Sequence, residues 1–215
     1  MKICIGFQGK VRAFIKNAKI LKEQIMDDTH EYTVLFATWE DQDISDFIKI
    51  YPHAHIKKYK VQTLDDFKWN KDSKIHPGNI ITILDFWCHQ KSLENLKDLI
   101  IEYETKNNIN FDIILRIRTD VHLSNSIVKY YNNVIENNVY VASEPRYDIY
   151  NRGSYPDFLI FGRNKEMKNI LNAIHIIENC LYEPHTFHPE SSAYAITKYY
   201  NYNCNHLPIT VSKVY

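Results

Sequence analysis

The sequence predicts an α/β protein with a mostly parallel central sheet covered by helices on both faces. Three observations lead there. Short runs of aliphatic, β-branched and aromatic residues recur along the chain, and segments of helical period separate them, the pattern of βαβ units. Several of the short runs, such as KICIGF and FDIILRI, are nearly continuous in apolar residues, as strands buried on both faces are. At 215 residues the chain can bury roughly 70% or more of its unfolded surface, so it does not depend on a disulfide frame.

Residues 2–7 (KICIGF) form a buried strand, followed by QGK and a helical pattern in which Val11, Phe14, Ile15, Ala18, Leu21 and Ile25 fall near the 3.6 period. Residues 32–38 (YTVLFAT) form a second buried strand. A helical pattern after Asp43 carries Ile44, Phe47 and Ile48, and residues 53–61 (HAHIKKYKV) form a third strand. Pro77-Gly78 punctuates a polar, aromatic stretch. A long helix then runs from Asn79 to Tyr103 on a stripe of Ile80, Ile83, Leu84, Trp87, Leu93, Leu96 and Ile100. Residues 111–117 (FDIILRI) form the strongest strand. Beyond it the pattern gives a helix over 127–136, a strand over 139–143, a loop over 144–156 and a strand over 157–162. An amphipathic helix over 163–181, a last helix over 191–200 and a final strand over 206–215 complete the chain. Without repeat, low-complexity tract or linker, one domain covers 1–215.

Composition narrows the function. Lys plus Arg and Asp plus Glu are 26 each, which argues against a general nucleic-acid binder. There are five glycines and neither G-x-x-x-x-G-K-[ST] nor G-x-G-x-x-G, so glycine-loop phosphate sites are excluded. Cys4, Cys88, Cys180 and Cys204 make no C-x-x-C pair. Cys4 lies in an apolar run and reads as a buried thiol, which points to a reducing, cytoplasmic setting. The amino terminus has no apolar leader core, and no 18-residue apolar window occurs.

The informative segment is Arg116-Ile117-Arg118-Thr119-Asp120-Val121-His122. Alternation along a strand puts Arg116, Arg118, Asp120 and His122 on one face, provided the chain stays extended through His122. In open α/β sheets ligands lie at the carboxyl ends of the strands. Asp and His two apart can share a divalent cation, and two arginines offer forked donors to phosphate. The plain alternative is that Asp120 caps the next turn with Arg118 as its ion-pair partner.

A strand ending in R-x-R-x-D, halfway along a chain that starts with a short strand and a G-x-x-G-x-x-R turn (Gly6, Gly9, Arg12), resembles the small GT-A-type glycosyltransferases. The likeness is to the WavE-type lipopolysaccharide synthesis proteins and similar sugar transferases of large DNA viruses. The resemblance implies a single GT-A-like α/β/α sandwich, with residues 1–120 binding nucleotide and 121–215 binding acceptor. It implies Mn2+ or Mg2+ on Asp120 and His122, where His122 departs from the commonest D-x-D form. It implies a nucleoside diphosphate sugar as donor and a glycan as acceptor, whether polysaccharide, lipopolysaccharide or viral glycoprotein glycan.

By the same resemblance Phe7, Gln8, Gly9 and Arg12 contact the nucleotide. Glycine permits close backbone approach and a helix start favours anions; a plain strand–helix turn is the alternative. Thr38 and Trp39 end the second strand, where an aromatic ring can stack on a base or serve as core. Gln90 and Lys91 on the long helix are candidates for phosphate, against a solvated helix face for Lys91. Asp157, after a loop long enough to act as a lid, is a candidate for sugar hydroxyls or catalysis, against local backbone bonding. Glu190 at a helix start is a candidate general base, against a favourable helix-dipole position. His185 and His188 read as acceptor contacts or surface. The expected activity is a metal-dependent glycosyltransferase. The other readings are a metal-dependent nucleotidyltransferase or phosphohydrolase, and a non-catalytic nucleotide-sugar-binding domain joined to further catalytic domains in a longer chain.

Overall fold

The computed structural model describes residues 1–12, 14–63, 66, 80–142, 146–147, 153–154, 158–172 and 196–214. Four strands of the first half, β1 (Lys2–Gly9), β2 (Glu31–Trp39), β3 (His55–Tyr59) and β4 (Ile113–Ile117), are parallel and lie side by side in the order 3-2-1-4. Helices α1 (Ala18–Ile25) and α2 (Ser45–Ile50) follow β1 and β2, and α3 (Ile80–Asn107) precedes β4. The second half adds β5 (Val121–Leu123), α4 (Val128–Tyr131), β6 (Asn138–Ala142), β7 (Arg146–Tyr147), β8 (Gly153–Ser154), β9 (Leu159–Arg163), α5 (Asn164–Leu171), β10 (Asn203–Leu207) and β11 (Val211–Lys213).

The main sheet has seven strands in the order β10-β6-β9-β4-β1-β2-β3, so it draws on both halves of the chain. β9 runs antiparallel to both its neighbours, β4 and β6, while β10 is parallel to β6. The expected mostly parallel α/β sheet is therefore present, with one reversed strand at its middle. β5 and β11 form a separate antiparallel pair, and β7 and β8 another.

Period-two alternation sorts β1 between two cores. Ile3, Ile5 and Phe7 join a cluster with Phe14, Leu21 and Ile25 of the α1 region and Phe47 of α2. Cys4 joins Leu93, Leu96 and Ile100 of α3 on the other face, with Met167 and Ile170 of α5. Each buried Phe or Ile contributes about 1.5–3 kcal/mol relative to exposure. Gly6 is required by close approach. A Cβ there would come within 2.9 Å of Leu96 Cδ2, so glycine lets α3 seat on β1.

Several elements differ from expectation. The first helix starts with a 3-10 turn at Phe14–Lys16, and Ile15, assigned to its apolar stripe, is half exposed. The helix expected over 127–136 ends at Tyr131. The chain there turns back on itself, with Tyr140 Oη donating to the Asn133 carbonyl at 2.9 Å and accepting from the Ile135 amide. The strand expected over 206–215 is two strands, β10 and β11. Pro208 separates them and has no amide to continue a ladder. The loop expected over 144–156 contains the β7–β8 ladder. The helices expected over 163–181 and 191–200 are described only at α5 and a helical turn at 196–199.

Candidate functional site

β1 and β4 are neighbours in the sheet, yet the helices next to them in sequence pack on opposite faces. Such a switch point leaves a crevice at the carboxyl ends, where α/β sheets bind ligands. Gly9 ends β1 with φ +80, a conformation that strains any side-chain-bearing residue, and its carbonyl accepts the Thr38 hydroxyl at 2.7 Å.

Beyond Ile117 the chain makes one more bond to the β9 side and is then drawn towards β1. The Arg118 amide donates to the Phe158 carbonyl at 3.0 Å. The Thr119 hydroxyl donates to the Lys10 carbonyl at 3.0 Å. Residues 119–120 form a turn, and the chain re-emerges as β5 in the second sheet. The expectation that Arg116, Arg118, Asp120 and His122 share one extended face is thus corrected: the face ends with the strand.

Asp120 lies in the turn and is 5% exposed. Arg118 grips its carboxylate as a fork, Nε to Oδ1 at 2.9 Å and Nη2 to Oδ2 at 2.8 Å. Arg12, half exposed after the first strand, adds Nη1 to Oδ2 at 3.3 Å. Burial raises the carboxyl's pKa, but the Arg118 hydrogen bonds and charge, with the charge of Arg12, outweigh it and hold Asp120 below the usual carboxylate range. Arg116 is buried on the α3 face, and its Nε donates to Gln8 Oε1 at 3.0 Å, tying the ends of β4 and β1 together.

Two further groups come from the distant chain. The Phe158 ring lies 5.3 Å from the Arg118 guanidinium and 5.6 Å from Lys213 Nζ. β11 brings Lys213 there by pairing it with Val121, and the Val214 amide donates to the Asp120 carbonyl at 2.9 Å. No local signal marks Phe158 or Lys213 in the sequence, because each arrives through a long-range pairing, Phe158 beside β9's Leu159 on Ile117 and Lys213 on Val121.

His122 turns elsewhere. Its Nδ1 lies 3.4 Å from Asn17 Oδ1, and the Asn17 amide nitrogen donates to the Val121 carbonyl at 2.9 Å. Among the described residues no group of three or more His, Cys, Asp or Glu side chains gathers as a metal site requires. As arranged, Asp120 and His122 do not fit a divalent ion as a pair: both carboxylate oxygens carry guanidinium donors.

The remaining candidates separate clearly. Phe7 has no exposed surface and packs against Phe14, Phe36, Phe47 and Tyr51 with ring centroids 5.1–6.3 Å apart, so it belongs to the core rather than to a nucleotide contact. Thr38 and Trp39 are also buried. Lys91 forms an ion pair with Glu94 on α3, and Gln90 is buried. Asp157, His185, His188 and Glu190 lie outside the described residues.

Fold and site together define an α/β protein with a mostly parallel seven-stranded sheet, in which Arg12, Arg118 and Asp120 meet beyond the carboxyl ends of β1 and β4. No family model and no curated protein matches the chain. Cys4, Cys88 and Cys204 are free thiols. Among the described residues no helix is long and apolar enough to cross a membrane.

Proposed function

We propose that the chain is a GT-A-like glycosyltransferase that moves a hexose or deoxyhexose from a nucleoside diphosphate sugar to a glycan. One observation carries the reading: Arg12 and Arg118 meet on Asp120 just beyond the point where β1 and β4 end side by side. In the reaction the acceptor hydroxyl oxygen bonds to the anomeric carbon and its proton passes to a base. The bond from that carbon to the phosphate oxygen breaks, and the nucleoside diphosphate leaves with the electron pair. Charge therefore grows on the diphosphate, and preorganised cations aimed at it lower the barrier. Arg118, held by its fork on Asp120 and lying over Phe158, contributes fixed positive charge, and the half-exposed Arg12 supplies a donor that can swing. Asp157 and Glu190 are the candidates for sugar contact and for the base, by the resemblance of the sequence.

Thermal unfolding with UDP-, GDP- and dTDP-sugars, with and without Mn2+, tests the reading. One of the nucleotides at 100 times its dissociation constant adds ~2.7 kcal/mol of stability, and that nucleotide sugar is consumed when acceptor glycans are supplied. Absence of any shift across the nucleotides sinks the proposal. Phosphate release that needs no acceptor points to a phosphohydrolase instead.

A further inference from the structure

Asn17 occupies the N-cap position of α1, where an asparagine side chain ordinarily accepts a backbone amide of the first helical turn. Here it makes no such bond. The side chain is buried and turned away from its own helix, towards the segment that follows Asp120. We infer that Asn17 is a positioning residue which fixes His122 in one tautomer, with its proton on Nδ1, and that the Nε2 lone pair so presented accepts a hydroxyl of the donor sugar. The inference rests on the nucleotide-sugar reading above.

The proton assignment follows from the amide. Asn17 Nδ2 donates to the Val121 carbonyl at 2.9 Å, and a flipped amide would set two acceptor oxygens against each other there. Oδ1 is therefore the atom that lies 3.4 Å from His122 Nδ1. An amide oxygen only accepts, so a neutral imidazole must carry its hydrogen on Nδ1 and keep Nε2 as the acceptor. The other tautomer would oppose two lone pairs beside a buried amide, where an unmade polar contact is costly. Among the described residues the ring bonds only Asn17.

The placement suits a sugar. The chain between β1 and α1 runs beside residues 119–122. The Arg12 amide donates to Thr119 Oγ1 at 3.5 Å, Arg12 Nη1 meets Asp120 Oδ2 at 3.3 Å, and Asn17 meets Val121 and His122. His122 thus continues the line that begins at the arginine–aspartate cluster, and two residues of chain set its Cα at most about 7 Å from that of Asp120. Val121 and Leu123 are fully buried, whereas His122, on the alternate face of β5, is partly exposed. In a nucleoside diphosphate sugar the sugar is bonded to the terminal phosphate, so a group one step beyond the cluster that meets the phosphates is within reach of the sugar hydroxyls. A neutral Nε2 offers an acceptor and no donor, which matches a hydroxyl and not a phosphate oxygen.

Histidine ring NMR of the full chain with isotope-labelled histidine, about two pH units above the ordinary imidazole pKa of about 6.5, reads the tautomer directly. The expected result is a His122 ring with a protonated Nδ1 and a bare Nε2. Asn17→Ser, which keeps a residue suited to the N-cap, releases the ring to the Nε2–H form that free imidazole side chains favour, with the fold intact by its amide spectrum. A parent His122 in the Nε2–H form overturns the inference, as does a tautomer that Asn17→Ser leaves unchanged. UDP-glucose, GDP-mannose and dTDP-glucose are then added, each beside its bare diphosphate. One nucleotide sugar is expected to move the His122 Nε2 signal, and its diphosphate alone to leave it in place. His122→Ala weakens binding of that nucleotide sugar by about three- to tenfold, the effect of one hydrogen bond, and leaves the affinity of the diphosphate unchanged. Equal affinity of parent and His122→Ala for the nucleotide sugar overturns the inference and leaves the glycosyltransferase reading standing. Selective broadening of His122 Nε2 by Mn2+ alone does the same, since it assigns the lone pair to a metal. Failure of every nucleotide sugar and diphosphate to bind overturns the glycosyltransferase reading itself, and the sugar contact with it. The parent tautomer and His122→Ala keep the test sound should Asn17→Ser unfold.

Discussion

Two carboxylates are buried at opposite ends of β4, and they do different work. Glu104, near the end of α3, lies beside the amino end of the strand. Its Oε1 accepts the Phe111 amide at 3.0 Å and the Asn164 side-chain amide, and its Oε2 accepts Lys168 Nζ. One cation and two neutral donors match one anion, and the group joins α3, α5 and the start of β4. Asp120, at the carboxyl end, is matched by two arginines with Lys213 nearby. The two are equally hidden from solvent, so what separates them is position relative to the strand ends and the number of cations around each.

The sharpest way to break this comparison is to remove each carboxylate and ask what is lost. Glu104→Ala leaves the buried Phe111 amide without its acceptor and the partly exposed Lys168 without its counter-ion, at a cost of about 1–3 kcal/mol of stability. Chemical denaturation measures it. Nucleotide affinity of the variant that remains folded is expected to match the parent. Asp120→Asn keeps the shape and one acceptor oxygen, so its stability loss is smaller than that of Glu104→Ala, while transfer falls by ten- to a hundredfold, about 1.4–2.7 kcal/mol. A large stability loss with intact transfer at Asp120, or the reverse at Glu104, would erase the distinction.

A smaller effect lies in acid. Asp120 titrates lower in the folded chain than in the unfolded one, because the hydrogen bonds and charge of Arg118, with Arg12, outweigh burial. Its stabilising contribution is therefore complete above the unfolded carboxylate pKa of about 3.9 and is lost as pH falls from there through the depressed folded value. The stability gap between parent and Asp120→Asn should stay constant near pH 6 and narrow below about pH 4. A gap that widened towards acid would mean that burial, not the arginines, dominates the carboxyl.

Much of this was legible in the sequence because it is local. The apolar runs of β1, β2 and β4 and the stripe of α3 are properties of neighbouring residues, and each lies within a few positions of where the sequence puts it. The reversal of β9 was not legible, since a continuous apolar run such as LIF carries no direction. The turn at 119–120 was hidden for a related reason. Alternation continues in the letters through Val121, His122 and Leu123, and the departure is the turn at 119–120, where Thr119 bonds the Lys10 carbonyl. Arg12 and Asp120 could each be named as candidates. Their contact, 108 residues apart, and the arrival of Lys213 could not, because both depend on the packed fold. Phe7 shows the opposite error. Its neighbour Gln8 accepts Arg116 at the strand end, but alternation sends the Phe7 ring into the core on the other face.

The central claim is that the carboxyl ends of β1 and β4 hold a diphosphate. A crystal structure of the chain with an intact nucleoside diphosphate sugar tests it most directly. The account predicts the diphosphate oxygens within hydrogen-bonding distance of Arg12 and Arg118, with Asp120 still gripping the Arg118 guanidinium. A diphosphate bound away from these strand ends, with the Arg12–Asp120–Arg118 cluster unchanged and solvated, would contradict it.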